Sequence, residues 1–175
     1  MKQTLSTQRY SSPCGDLILA SARDRLCLCD WSGKPCAGRN MRRLARLLDA
    51  DFAERPSAVL EQARRQLDEY FAGARRTFGI RLLPVGTAFQ LRVWDALLEI
   101  PYGETRTYKD IALRTGSPGG VRAVAQAIGA NGISIIVPCH RVIGSNRSLT
   151  GFAGGLEAKA MLLETEGLGH FLPGK

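Results

Sequence analysis

The sequence predicts two units in tandem: an N-terminal α/β unit with a small antiparallel sheet over residues 1–84, and a mainly helical unit over residues 85–175. Three observations carry this. Short apolar runs separated by turn residues fill the first thirty positions. Helical periodicity dominates after residue 86. Between them, Pro84-Val85-Gly86-Thr87 interrupts both patterns. With 175 residues and 45% hydrophobic content, the chain can bury two small cores.

Strands are expected at residues 8–11, 15–22 and 26–31, turning at Pro13-Cys14-Gly15 and Arg23-Asp24-Arg25, which makes an antiparallel meander. Helical patterns follow at residues 40–52 and 57–70, the second opened by a Ser57 cap after Pro56 and closed near Gly73. Residues 77–83 read as a further strand. In the second unit helices are expected at 87–99, 107–114, 119–129 and 155–166, with a short apolar strand at 133–137. The chain contains no internal repeat and no low-complexity tract.

A formal charge of +8 favours a polyanionic partner, nucleic acid first. No apolar run approaches the ~20 residues that span a bilayer, and Met1-Lys2-Gln3-Thr4-Leu5-Ser6 lacks the apolar stretch of a secretory signal, so a cytoplasmic or nucleoid location and no membrane partner are expected. Five cysteines, an odd number without an export signal, are expected as free thiols. Cys14, Cys27, Cys29 and Cys36 do not fit paired C-x2-C metal ligands; Cys27 and Cys29 share one face of a strand and read as packing residues, so no metal is expected. Arg39, Arg42, Arg43 and Arg46 form one basic helical face, either solvated or a second contact to DNA or to a neighbouring molecule.

Residues 107–114, the turn Thr115-Gly116-Ser117-Pro118-Gly119 and residues 120–129 form a helix-turn-helix pattern. From Arg106 to Arg147 there are six basic residues against one acid, Asp110, which supplies phosphate attraction. The second helix offers Arg122 and Gln126 but otherwise small residues, among them Ala123 and Ala127. Such a bare face suits close approach to a minor groove, or equally helix-on-helix packing.

In Ile135-Ile136-Val137-Pro138-Cys139-His140-Arg141-Val142, a proline ends an apolar run and the next residue is a thiol flanked by imidazole and guanidinium, whose positive charge favours thiolate. Composition alone leaves two readings open: a nucleophile, or a structural cysteine beside a histidine.

Pro138-Cys139-His140-Arg141-Val142, together with Tyr108, Arg122-Ala123-Val124, Asn131 and Gly151-Phe152-Ala153-Gly154-Gly155, resembles the O6-alkylguanine-DNA alkyltransferase family, also called methylated-DNA-protein-cysteine methyltransferases. The resemblance covers residues 87–167 closely and extends more weakly to Ser12-Pro13-Cys14-Gly15 and Cys29-Asp30-Trp31. It implies a ribonuclease-H-like first unit and irreversible, single-turnover transfer of an alkyl group from guanine O6 in duplex DNA to Cys139; it leaves open O4-alkylthymine as a second substrate. No cofactor is implied, and the chain is expected to act as a monomer, with cooperativity along DNA left open. His140 would be the proton relay through water, Glu166 the carboxylate orienting it, and Asn131 the brace of the turn presenting Cys139. Tyr108 would donate a proton to the departing guanine, and Arg122 would replace the flipped nucleotide. Ala123, Gln126, Ala127 and Arg141 would join Arg122 and Tyr108 at the DNA, while Val142, Gly151, Phe152, Ala153 and Gly154 would line the pocket.

Gly132 stands where many relatives carry Pro, and Met161 where many carry Trp; both bear on packing, not on the reactive centre. Two rival functions are a DNA-binding regulator without chemistry and a cysteine hydrolase. A regulator has no need of Cys139, and a hydrolase has no need of DNA.

Overall fold

The computed structural model describes residues 1–171, which fall into two compact units, Met1–Val85 and Gly86 onward. In the first unit, β1 (Gln3–Ser12), β2 (Gly15–Ala22) and β3 (Arg25–Trp31) form the expected antiparallel meander. Alternation sorts the side chains. Leu5, Ala20 and Ala22 pack with Leu44 and Met41 of α1 (Pro35–Leu47). On the other face Gln8, Tyr10 and Ser21 bond to Glu61, Asp68 and Ser57 of α2 (Ala58–Phe71) and its cap. The Ser57 hydroxyl accepts from the Leu60 amide at 3.2 Å, as its position before the helix predicts.

Three expected elements change. The helix expected at 40–52 starts five residues earlier, because Pro35 occupies a first-turn position where its fixed φ and missing N–H carry no penalty. It stops at Leu47, and Ala50–Glu54 becomes β4, which pairs in parallel with β1 from Gln3↔Ala50 to Thr7↔Glu54. The sheet is therefore mixed, in the order β3-β2-β1-β4. The strand expected at 77–83 is only a single bridge, Leu26↔Leu82, with Leu26 N–H donating to Arg81 O and Leu83 N–H to Leu26 O.

In the second unit α3 (Ala88–Leu98), α4 (Tyr108–Arg114), α5 (Val121–Gly129) and α6 (Leu156–Thr165) match the expected helices. Thr87 with Gln90, and Thr107 with Asp110, form capping boxes that satisfy orphan amides at the starts of α3 and α4. Trp94 on α3 donates its indole N–H to the Ala127 carbonyl at 2.8 Å, locking α5 against it. The third change is at residues 133–137, which are a buried turn rather than a strand; a short apolar run does not separate the two by periodicity. Two short strands, β5 (Arg106–Thr107) and β6 (Val142–Ile143), pair in parallel. That pairing sets the start of α4 beside the turn holding Cys139.

Candidate active site and DNA-facing surface

Cys139-His140-Arg141 is one turn of 3-10 helix, entered from Pro138 and leaving directly into β6. The preceding turn is strained: Ile135, a β-branched residue, has φ of 72°, a conformation that costs on the order of 1–3 kcal/mol. Asn131 clamps it. Its amide donates to Val137 O at 3.0 Å and its carbonyl oxygen accepts from Ile133 N–H at 3.0 Å.

All three residues of the Cys139 turn are buried, as is Glu166, the residue that ends α6. His140 Nε2 lies 2.7 Å from Glu166 Oε1. Arg141 grips the same carboxylate through Nε at 2.9 Å and Nη2 at 2.9 Å, and its Nη1 donates to Ile100 O at 2.6 Å. Gly103 N–H adds a contact to Oε2 at 3.3 Å; its φ of +79° and a close approach to Glu166 O make glycine the residue suited to that position.

Burial alone would raise the Glu166 pKa, but His140 and Arg141 more than offset it and hold the carboxyl at about 2. His140 is pushed below its usual range by burial, against the pull of Glu166. At neutral pH the pair is therefore carboxylate and neutral imidazole. An ionised carboxylate only accepts, so Nε2 carries the proton and donates it. That leaves Nδ1 with a bare lone pair, and this buried atom has no hydrogen-bond partner among the described residues. His140 Nδ1 is thus in the protonation state that receiving a thiol proton would need.

The sequence credits both flanking residues with favouring thiolate. The geometry does not: Arg141 is committed to Glu166, and the imidazole is neutral. Nor is Arg141 placed at a DNA surface, since its guanidinium is buried in that ion pair.

Tyr108 begins α4, and its hydroxyl donates to Thr150 O at 3.0 Å and lies 3.4 Å from Gly151 O. Burial raises its pKa, so it keeps its proton. Gly151, with φ of +46°, Phe152, Ala153 and Gly154 form a partly exposed loop, whereas Val142 is fully buried in β6. The loop leads through Gly155 into α6, where Lys159 is fully buried with Nζ donating to Thr150 O at 2.9 Å. Lys159 is missed by sequence reading: a lone lysine on a short helix carries no motif.

On α5, Arg122, Ala123 and Gln126 are exposed, and Ala127 is buried against Trp94. The two readings of the small residues therefore divide along the helix: Ala127 is packing, while Ala123 is on the solvent face with Arg122. Of the six basic residues, Arg114 pairs with Glu99 and Arg106 with Glu104, and Arg141 is buried. Lys109, Arg122 and Arg147 remain as exposed cations. Among the four other cysteines, Cys27 donates to Ala20 O and Cys36 to Asp30. No described helix is long and apolar enough to cross a membrane.

The fold and site define a class: a sheet-based unit followed by a helix-turn-helix unit carrying a buried cysteine beside a His-carboxylate pair. Residues 6–84 match the family described as 6-O-methylguanine DNA methyltransferase, ribonuclease-like domain, and residues 88–168 match its DNA binding domain. The methylated-DNA--protein-cysteine methyltransferase of Methanosarcina acetivorans is 44% identical over 90% of this chain and 96% of that protein. The constitutive one of Bacillus subtilis is 45% identical over 91% and 93%. The crystal structure of Mycobacterium tuberculosis OGT in complex with DNA superposes with a TM-score of 0.80 at 42% identity, covering 98% of this chain and 96% of that one. The chain belongs to the 6-O-methylguanine DNA methyltransferase family.

Proposed function

We propose that this chain repairs O6-alkylguanine in duplex DNA by moving the alkyl group onto Cys139, one molecule per lesion. The observation that carries the reading is the buried Cys139 next to a neutral His140 whose Nε2 is tied to ionised Glu166. The thiol proton passes to His140 Nδ1, through a water. The sulfur attacks the alkyl carbon as the carbon–O6 bond breaks, and the electron pair leaves with the purine. Tyr108 gives the purine a proton and regains one from His140, so the products are a neutral thioether and guanine. A thioether is a poor leaving group, which makes the reaction single-turnover.

A stacked guanine does not bring its O6 substituent to a buried thiol, so the base must leave the helix. Arg122, exposed at the start of α5, is read as the side chain that takes its place, with Ala123 and Gln126 beside it. Phe152, Ala153 and Gly154 are read as the wall of the pocket, with Val142 beneath. The protein's location is read as cytoplasmic, beside the DNA it would repair.

The test is peptide mass after incubation with O6-methylguanine duplex. One methyl group, about 14 Da, is expected on the peptide carrying Cys139, and Cys139→Ser should lose it while still binding DNA. A methyl group on Cys14, Cys27, Cys29 or Cys36 instead would reject the assignment.

A further inference from the structure

The proposed reaction assigns no task to Lys159, yet this residue is held with its whole side chain buried on α6. A buried ammonium is expensive, and an apolar residue of similar volume is usually the more stable choice. Its charge therefore calls for a reason. The ammonium donates to Thr150 O, the same carbonyl that accepts the Tyr108 hydroxyl, and sits 5.8 Å from the centre of the Tyr108 ring. It is also within electrostatic reach of Cys139 and His140.

The charge count at the reactive centre gives the reason. Arg141 and Glu166 cancel, and His140 is neutral. These three residues supply no net positive charge to the sulfur. Among the described residues, the buried basic side chains are His140, Arg141 and Lys159, so the remaining buried cation is Lys159. Burial lowers its pKa to about 8, with Cys139 pulling the other way, so it is still largely protonated at neutral pH.

We propose that Lys159, anchored on the Thr150 carbonyl, supplies the positive charge that favours the Cys139 thiolate. The titratable groups facing it are Cys139 and His140 from the reactive turn and Tyr108 from α4. Tyr108 keeps its proton and His140 is neutral, so the thiol is the group whose ionisation the ammonium stabilises. The inference rests on Cys139 being the alkyl acceptor.

The experiment uses the full chain as wild type, Lys159→Met and Lys159→Gln, the last keeping a donor to Thr150 O without the charge. Cys139 alkylation by iodoacetamide, which needs thiolate but no DNA, is followed by peptide mass across pH, alongside thermal melting and methyl transfer from O6-methylguanine duplex. Both variants should shift the reactivity midpoint upward by about one pH unit and slow methyl transfer about tenfold near neutral pH. They should melt no lower than wild type, with DNA affinity within about twofold. If Lys159→Met does not fold, Lys159→Gln carries the test. An unshifted midpoint in a folded variant, or full activity in Lys159→Gln, overturns the role of the charge. Failure of wild type to take the methyl group at Cys139 rejects the proposed function instead.

Discussion

Asp30 in the first unit and Glu166 in the second are both buried carboxylates, and their pKa values are shifted in opposite directions. Asp30 accepts from Asn40 Nδ2 at 2.6 Å, the Trp31 amide at 2.9 Å and Cys36 Sγ at 3.3 Å, all neutral donors, with Arg43 within electrostatic reach. Burial outweighs them and raises its pKa. Glu166 is buried to a similar degree, but a guanidinium holds it by two hydrogen bonds and an imidazole by a third. At like burial, the charge of the hydrogen-bond partners sets which way the pKa moves. Asp30 ties β3 to α1, whereas Glu166 fixes the tautomer of His140.

The largest expected effect breaks this contrast directly. Glu166→Gln leaves Arg141 buried without a counter-charge and replaces one of the two accepting oxygens that face His140 and Arg141 with an N–H donor. Methyl transfer should fall by about two to four orders of magnitude and stability by roughly 3–5 kcal/mol. Asp30→Asn should lower stability by about 1–3 kcal/mol and leave transfer within about twofold of wild type. Rates from single-turnover assays and stabilities from urea unfolding check both, and comparable losses of transfer in the two variants would defeat the division of roles.

Acid should sharpen the contrast. Glu166 and His140 both have depressed pKa values in the folded state, so their contribution is present above the unfolded values and is lost as pH falls through the folded ones. For Glu166, falling from 4.5 to about 2, this amounts to about 3 kcal/mol, lost between about pH 5 and 2. Asp30 has the opposite sign: its raised pKa contributes stability below the unfolded value, lost as pH rises through the folded one. Segment-resolved hydrogen exchange should therefore show α6 and the Cys139 turn losing protection in acid before β1–β3. Loss in the reverse order would contradict the assignment of charge at Glu166.

The smallest effect concerns the exposed cations of the second unit. With Lys109, Arg122 and Arg147 as the exposed cations of the stretch outside the Arg114–Glu99 and Arg106–Glu104 pairs, log affinity should fall against log salt with a slope near −3, and Arg122→Ala should reduce it by about 1. The same variant should slow repair in duplex far more than reaction with free O6-benzylguanine, because a free base needs no place in the stack filled. Equal losses with both substrates would reject that role.

Ser57 announced a helix start as a cap, and the helices expected from residues 87 and 107 begin where Thr87 and Thr107 cap them, because a cap is a local bond between residues three apart. Cys139 and His140 were legible as a candidate pair because they are adjacent in the chain, whereas Asn131 came through resemblance. Glu166 and Tyr108 came through resemblance, being joined to that pair only by the β5–β6 pairing and the end of α6.

The sequence by itself determined what neighbours in the chain control: the Ser57 cap, turns, the meander, the helix-turn-helix and the pairing of a thiol with an imidazole at Cys139-His140. Tertiary structure alone decided that residues 50–54 would leave a helix pattern to pair with β1, that Ala127 would turn inward and Ala123 outward, and that Arg141 would neutralise Glu166 instead of facing DNA. It also decided that Lys159 would be buried within electrostatic reach of Cys139. The physical reason is common to all four. Strand pairing, burial and the ionisation of coupled groups depend on which distant residues arrive at the same place, and a local pattern of residue types carries no record of that arrival.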